Sequence, residues 1–339
     1  MASSSAAATQ QAAGAGALDR LLTVTHDGME RVNALILKRA ESHVDMVPKL
    51  ARYLIEAGGK RLRPMLTVAA AQLFGRGTGA EINYAAAVEF MHNATLLHDD
   101  VVDESDLRRG RPAARMIWGN QASVLVGDFL LGQAFMMMVE AGDINALGVL
   151  SKAATIIAEG EVFQLAKARD LETTAEDYGQ VIHAKTATLF AAAAEVGAMA
   201  GGADAAGREA LRVYGEELGL AFQLVDDVLD YRGEAGTLGK NTGDDLREGK
   251  MTLPVILALA DANPAEREII AAALGKDETP DGVMAQVVAI FNRHRSLDRT
   301  VEQADAHVRK ARAALETLPA SEMRTLLSDI ADFYVGRAY

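Results

Sequence analysis

Residues 222–230 read Phe-Gln-Leu-Val-Asp-Asp-Val-Leu-Asp, and an earlier segment, residues 96–103, reads Leu-Leu-His-Asp-Asp-Val-Val-Asp. Each is an apolar run with helical spacing that closes on Asp-Asp-x-x-Asp. Residues four apart share a helix face, so Asp99 stands beside Asp103 and Asp226 beside Asp230. Paired carboxylates on one face repel unless a cation lies between them. Oxygen-rich pairs that leave positions open suit Mg2+, which keeps waters and accepts phosphate oxygens. One such motif alone could be a solvated acidic helix end; two of them, each ending an apolar run, point to a metal site.

The same three- and four-residue apolar spacing recurs over residues 18–38, 45–57, 82–103, 123–141, 145–168, 175–200 and 207–231. It continues over 253–260, 265–274, 282–291, 301–318 and 321–339. Alternating β-branched runs bounded by turn signals are missing, so no strand is predicted. Breaks fall at Gly58-Gly59, 75–79, Gly110 with Pro112, Gly201-Gly202 and 233–243. None is long enough to link domains, and no repeat of 20–50 residues recurs. The spacing predicts one all-α domain over residues 18–339, with about a dozen helices.

Residues 1–17 are mostly Ala, Ser, Gly, Thr and Gln without a charged side chain. They are expected to form a disordered N-terminal tail, because they lack the basic start and dense apolar run of a secretory signal. The least polar long stretch, 122–139, carries Asp128 near its centre. A carboxylate there is costly in lipid, so a buried core helix is predicted and no transmembrane segment. Half of the 339 residues are hydrophobic and 24% are charged, which is globular composition. The net charge of −13 argues against a nucleic-acid partner, although a local basic cluster can still receive an anion. With no cysteine, disulfides, thiolate metal sites and cysteine nucleophiles are excluded, which fits a reducing compartment.

Basic residues flank the acidic motifs in an ordered way. Gly58-Gly59-Lys60-Arg61-Leu62-Arg63-Pro64 places three cations in a glycine-opened turn leading into a helix. Backbone amides can approach an anion there, and Arg grips phosphate with two prongs. Arg108-Arg109-Gly110 begins five residues beyond Asp103 and could face the same cleft, or join a surface network with Glu104 and Asp106. His92 lies two turns before Asp99 on nearly the same face. Lys185-Thr186 falls in the small, apolar segment 183–194, where a lysine needs an anion and a threonine hydroxyl can bend back to a carbonyl and distort the helix. Lys240 and Lys250 flank the acidic loop 243–249, where solvated lysines are the plainer reading.

Together these stretches resemble the trans-isoprenyl diphosphate synthase family. The likeness runs from about Arg52 to Pro254 and rests on GGKRLRP (58–64), LLHDDVVDESDLRRG (96–110), GNQASVLVGD (119–128), Lys185-Thr186, FQLVDDVLDY (222–231) and LGKNTGDDLREGKMTLP (238–254). It implies a dimeric antiparallel helical bundle around a deep central cavity, with the two acidic motifs facing each other at the mouth. It implies a magnesium-dependent prenyltransferase that joins isopentenyl diphosphate to an allylic diphosphate, farnesyl or geranyl. By that likeness Asp99, Asp103 and Asp226 would bind three Mg2+ ions, supported by Asp100, Asp227 and Asp230. Arg108, Lys185, Gln223 and Lys240 would hold the allylic diphosphate, and Lys60, Arg63, His92 and Arg109 the isopentenyl diphosphate. Asp99, Asp103, Lys185, Thr186 and Gln223 form the expected catalytic set, with the Thr186 and Gln223 oxygens beside the carbocation. The departing diphosphate itself would take the final proton.

Product length is expected to be read below the first motif. Helical rise puts Ala94 and Thr95 about 6–8 Å beneath Asp99, and Met91 about 12 Å beneath it. None is aromatic, whereas a short-chain member would usually set a bulky ring at one of the first two. An open floor reaching toward residues 135–138 predicts a C40–C50 all-trans product of the kind used for quinone side chains; a geranylgeranyl-type product is the alternative. A class I terpene cyclase would lack the second acidic motif and an isopentenyl anchor. A metal phosphohydrolase built on His98-Asp99 has no use for Arg108-Arg109. A di-iron bundle needs two Glu-x-x-His units, and only Glu89-x-x-His92 is found. A catalytically silent partner subunit would be expected to lose its acidic motifs. The expectation is an active cytoplasmic homodimer that touches membrane only to release product.

Overall fold

The computed structural model describes residues 2–56, 58–59, 61–75, 77–108, 110–232, 243–276 and 282–336, with side chains from residue 16 onward. Among them sixteen α-helices succeed one another: α1 (Ala2–Arg39), α2 (Met46–Glu56), α3 (Leu62–Phe74), α4 (Ala80–Val102), α5 (Ala114–Trp118), α6 (Asn120–Ala141), α7 (Ile144–Lys167) and α8 (Ala175–Ile182). They continue with α9 (Thr188–Ala200), α10 (Ala205–Arg232), α11 (Asp244–Arg247), α12 (Leu253–Asp261), α13 (Pro264–Ala273), α14 (Val283–Arg293), α15 (Ser296–Glu316) and α16 (Glu322–Gly336). The all-α class predicted from spacing is the observed one. Residues 2–17, expected as a disordered tail, instead form the opening turns of α1, with side chains described only from residue 16.

Helix α9 forms the centre, with α3, α4, α7 and α10 packed against it. Its sequence, Thr-Leu-Phe-Ala-Ala-Ala-Ala-Glu-Val-Gly-Ala-Met-Ala, is apolar all round except at Glu195, which pairs with Arg208, and that is the pattern of a helix surrounded by others. Helix α10 approaches closely enough that a Cβ on Gly219 would lie 2.7 Å from the Ala187 Cα, so no larger residue fits. The outer helices show the ordinary one-sided stripe: α15 buries Leu297, Val301, Ala304, Val308, Ala311 and Leu315 and turns its charges to solvent. Helix α3 escaped the spacing analysis for the opposite reason, because Leu62 and residues 64–71 are all buried and leave no period to see.

Three departures from expectation have local causes. Strands β1 (Leu107–Arg108) and β2 (Arg111–Pro112) form a two-residue antiparallel ladder, turned at Gly110 with φ 74°; a ladder this short carries no alternation. The helix predicted over 175–200 is interrupted by one π-helical turn, His183–Ala187. The carbonyl of His183 receives the Thr188 hydroxyl at 2.9 Å, so Thr188 rather than Thr186 supplies the bend anticipated there. Finally, α6 is only half a core helix. Val126, Leu130, Ala134 and Met137 are buried against the core, while Leu125 is 66% and Val139 63% exposed. It is the one helix among the described residues long and apolar enough to cross a membrane. Its neighbour α7 exposes Val162 and Leu165 in the same way. The sequence reading missed this because both faces of α6 are apolar.

Candidate active site

The C-terminal end of α4 and the C-terminal third of α10 border one cavity of about 590 Å3. Asp103 enters its lining from the first acidic motif and Asp227 from the second, with Lys185, Thr186 and Gln223 between them. Tyr178, Asp245 and Lys250 line it too. The two motifs therefore share a hollow, as the pairing of their sequences requires.

In the first motif each aspartate meets a cation. Lys185 Nζ lies 3.5 Å from Asp99 Oδ2 and 2.8 Å from Glu161 Oε2. Lys250 Nζ lies 3.1 Å from Asp103 Oδ2 and also reaches Glu248, at 2.6 Å. Burial would push the Lys250 ammonium down, but the carboxylates of Asp245, Asp103 and Glu248 together overcome this and push its pKa up. Asp100 is 1% exposed and accepts from Arg108 Nε at 2.8 Å. Burial raises its pKa, and the Arg108 guanidinium only partly opposes the rise. Arg108 thus grips the base of the motif. The surface network weighed for this region is made by Arg115, which donates to Asp106 at 2.7 Å and to the Ser105 carbonyl at the same distance.

The second motif is held by neutral donors. Asp227 is 1% exposed and accepts from the Tyr178 hydroxyl and, at 2.8 Å, from the Gln223 amide. Burial drives its pKa well up, Asp245 adds to the rise, and the two hydrogen bonds pull against it. The Gln223 carbonyl accepts from the Thr186 hydroxyl at 2.8 Å, so Thr186, Gln223, Asp227 and Tyr178 form one chain of hydrogen bonds. Asp226 is exposed. Asp230 accepts from the Asp245 backbone at 3.2 Å and so ties α10 to the loop that brings in Lys250.

Other expected residues are placed as follows. Arg63 lies over the Phe190 ring, 4.4 Å from its centroid, and Arg61 turns away to Asn33 of α1. His92 is half-buried on α4, and its carbonyl accepts from Thr95 at 2.8 Å. Met91 and Ala94 are buried, and neither they nor Thr95 line the cavity. His98 faces α6, 3.2 Å from the Val124 carbonyl and 3.4 Å from Asp128, which leaves the His-Asp dyad of a phosphohydrolase unformed. Lys60, Arg109 and Lys240 lie outside the described residues. Glu161 and Tyr178 carry no sequence signal for the site, Asp245 enters it from the acidic loop 243–249, and Lys250, expected as a solvated loop lysine, is held by Asp103 and Glu248.

Among the described residues no three His, Asp or Glu side chains converge as a ready-made metal cage. The donor set nonetheless suits a hard divalent cation that keeps its waters: it is all carboxylate, and Asp100 Oδ2 is buried without a hydrogen-bond partner.

Residues 44–291 match the sequence profile of the polyprenyl synthetase family. The chain is 44% identical over 322 residues to the octaprenyl diphosphate synthase of Escherichia coli (strain K12), covering 94% of this chain and 99% of that one. Its fold superposes with a TM-score of 0.90 on the crystal structure of polyprenyl synthase from Caulobacter crescentus CB15 complexed with calcium and isoprenyl diphosphate, at 51% identity over 95% of this chain and 98% of the other. A decaprenyl diphosphate synthase from Rhodobacter capsulatus also superposes with a TM-score of 0.90, at 48% identity and with 95% and 99% of the two chains covered.

Proposed function

This chain belongs to the polyprenyl synthetase family, and we propose that it is a magnesium-dependent prenyltransferase that extends an allylic diphosphate with successive isopentenyl diphosphates to a long all-trans polyprenyl diphosphate. The observation that carries this reading is the shared cavity, where the two acidic motifs meet two lysines and the Thr186–Gln223 pair. The relatives named octaprenyl and decaprenyl diphosphate synthases support a C40–C50 product. Residues 18–339 act as one catalytic unit.

Asp99, Asp103 and Asp226 would hold the magnesium ions, three being the expected number. Bound there, the metal would neutralise the charge that develops on the diphosphate as its bond to carbon breaks. Lys185, Arg108 and Lys240 hold the allylic diphosphate, and Lys250 adds a further cation at Asp103. Prearranged cations of this kind favour the leaving group most when its charge is greatest. Lys60, Arg63, His92 and Arg109 anchor isopentenyl diphosphate, so that its alkene stands against the allylic carbon. The oxygens of Thr186 and Gln223, fixed by their mutual hydrogen bond, turn dipoles toward the carbocation. No side chain of the site is needed as a general base, because the departing diphosphate can take the proton.

The exposed apolar faces of α6 and α7 support a homodimer, since patches of this kind are seldom left to water. The deciding experiment supplies the purified chain with farnesyl diphosphate, isopentenyl diphosphate and magnesium chloride and analyses the products by mass. A C40–C50 diphosphate is expected. A C15 or C20 product would overturn the chain length, cyclic hydrocarbon would indicate a cyclase, and no turnover by the single chain would indicate a silent subunit.

A further inference from the structure

Lys185 owes its position to a neighbour outside the acidic motifs. The π-helical turn that carries it lies against α7 so closely that a Cβ on Gly160 would stand 2.4 Å from the Ala184 Cβ and 3.5 Å from the Lys185 backbone nitrogen. The next residue on α7, Glu161, then reaches Lys185 Nζ with Oε2 at 2.8 Å, while Asp99 Oδ2 is 3.5 Å from the same nitrogen. One ammonium group is thus shared between carboxylates from two helices, and the shorter bond goes to the one that belongs to neither acidic motif. Glu161 Oε1 is buried and makes no hydrogen bond, so the contact to Lys185 is what the carboxylate is anchored by.

We propose that Glu161 is a positioning residue that holds the Lys185 ammonium at the level of the first acidic motif and keeps it from closing onto Asp99. A lysine has three N–H donors on a flexible four-carbon stem. With one donor fixed on Glu161, the others point at Asp99 and at whatever anion lies before it. Without Glu161, the only carboxylate left within 4 Å of Lys185 among the described residues is Asp99. The lysine would then compete for a carboxylate needed by the metal and would be withdrawn from the diphosphate. Glu161 touches neither substrate in this scheme; it acts through Lys185.

This inference rests on the prenyltransferase reading, and its test separates the two. Glu161→Gln keeps the shape of the side chain and removes its charge, and Glu161→Ala removes both. Each is expected to raise the KM for farnesyl diphosphate about 10-fold, the usual weight of a residue that orients a ligand-binding group. The KM for isopentenyl diphosphate should stay within about 2-fold of the wild type, because Lys185 is assigned to the allylic diphosphate alone. In a Lys185→Ala background the same substitutions should add nothing. The inference is overturned by unchanged farnesyl kinetics in Glu161→Gln, by an equal rise in both KM values, or by a penalty of the same size with Lys185 already gone. Calorimetric binding of inorganic diphosphate with magnesium reads the same coupling without turnover. A wild type that elongates nothing would therefore refute the prenyltransferase reading while leaving this coupling to be decided by the binding data.

Discussion

The two Asp-Asp-x-x-Asp motifs are nearly the same word written twice, yet the fold gives them different surroundings. On α4 the motif is clothed in cations: Lys185 at Asp99, Lys250 at Asp103, and Arg108 under Asp100. On α10 the middle aspartate, Asp227, is held by a phenol and an amide, and Asp226 is exposed. Both middle residues are buried to the same degree, and burial raises both pKa values. A guanidinium compensates one, and neutral dipoles compensate the other. The motif therefore specifies where carboxylates stand, while the packing around it decides how much charge they carry to a ligand.

The largest test of this contrast is removal of the outer carboxylates. Asp99→Ala and Asp226→Ala should each lower turnover by on the order of 10^3-fold, because each removes charge stabilisation made in full only as the bond breaks. The fold should survive, since Asp226 is exposed and Asp99 sits at a helix end beside the cavity. Steady-state kinetics with circular dichroism would check both. Activity retained by Asp226→Ala would mean that the second motif is structural and that the symmetry of the two sequences misleads.

Next in size is the contrast between the middle residues. Asp100→Asn removes the charge opposite a partly buried Arg108 and should cost on the order of 3 kcal/mol, the loss expected when one partner of a buried pair is deleted. Asp227→Asn exchanges one group satisfied by neutral hydrogen bonds for another and should cost about 1 kcal/mol. Urea unfolding of the two variants measures the difference directly. Equal costs would erase the distinction between cationic and neutral support.

How much of this was legible in the sequence follows the same division. The acidic motifs could be read because four-residue spacing on a helix fixes a shared face whatever lies around it. The helices could be read wherever one face was apolar and the other polar. Lost were the elements without such contrast: α3, buried on all sides, and α6, apolar on both. The partners were lost as well. Glu161, Tyr178 and Lys250 meet the site from segments 24, 49 and 147 residues away from the groups they serve. No local pattern encodes such a meeting, because it depends on how helices stack. Lys60, Arg109 and Lys240 rest on the family resemblance and on the motifs that carry it.

A smaller effect is expected in what the site makes rather than how fast. One helical turn before Asp99 stands Thr95, half-buried and unbranched by any ring. One turn before Asp226 stands Phe222, whose ring lies 5.7 Å from Phe190 and 5.3 Å from Tyr334. The growing chain is expected to pass along α4, where Thr95 presents a smaller side chain than Phe222 does at the matching place on α10. Thr95→Phe would make the first motif resemble the second and should shorten the product by several isoprene units with little change in the first condensation. Mass analysis of the products would show it, and an unaltered length would move the path of the chain away from α4.

The smallest effect concerns how α10 serves the opposite motif. His183, first residue of the π-helical turn, lies 3.1 Å from Glu216 on α10, and Arg212 holds the same carboxylate at 2.6 Å. The hydrogen bond from His183, with that from Arg212 and against the effect of burial, brings Glu216 down to about 2 from an ordinary value of 4.5. The same bond raises His183 above 6.5, against burial and the Arg212 charge. A depressed carboxylate contributes stability above pH 4.5 that is lost as the pH falls toward 2, whereas a raised histidine contributes stability below pH 6.5 that is lost as the pH climbs through its folded value. Both contributions are in full force only between about pH 4.5 and 6.5. Glu216→Gln should therefore lower the melting temperature most near pH 5.5, by about 2 °C for a pair this open to solvent, and less on either side. Thermal unfolding of variant and wild type across pH 3–8 measures that window. A difference that stays flat with pH would show that Glu216 holds the Lys185 turn by packing alone, so that α10 lends the first motif its lysine through shape and not through charge.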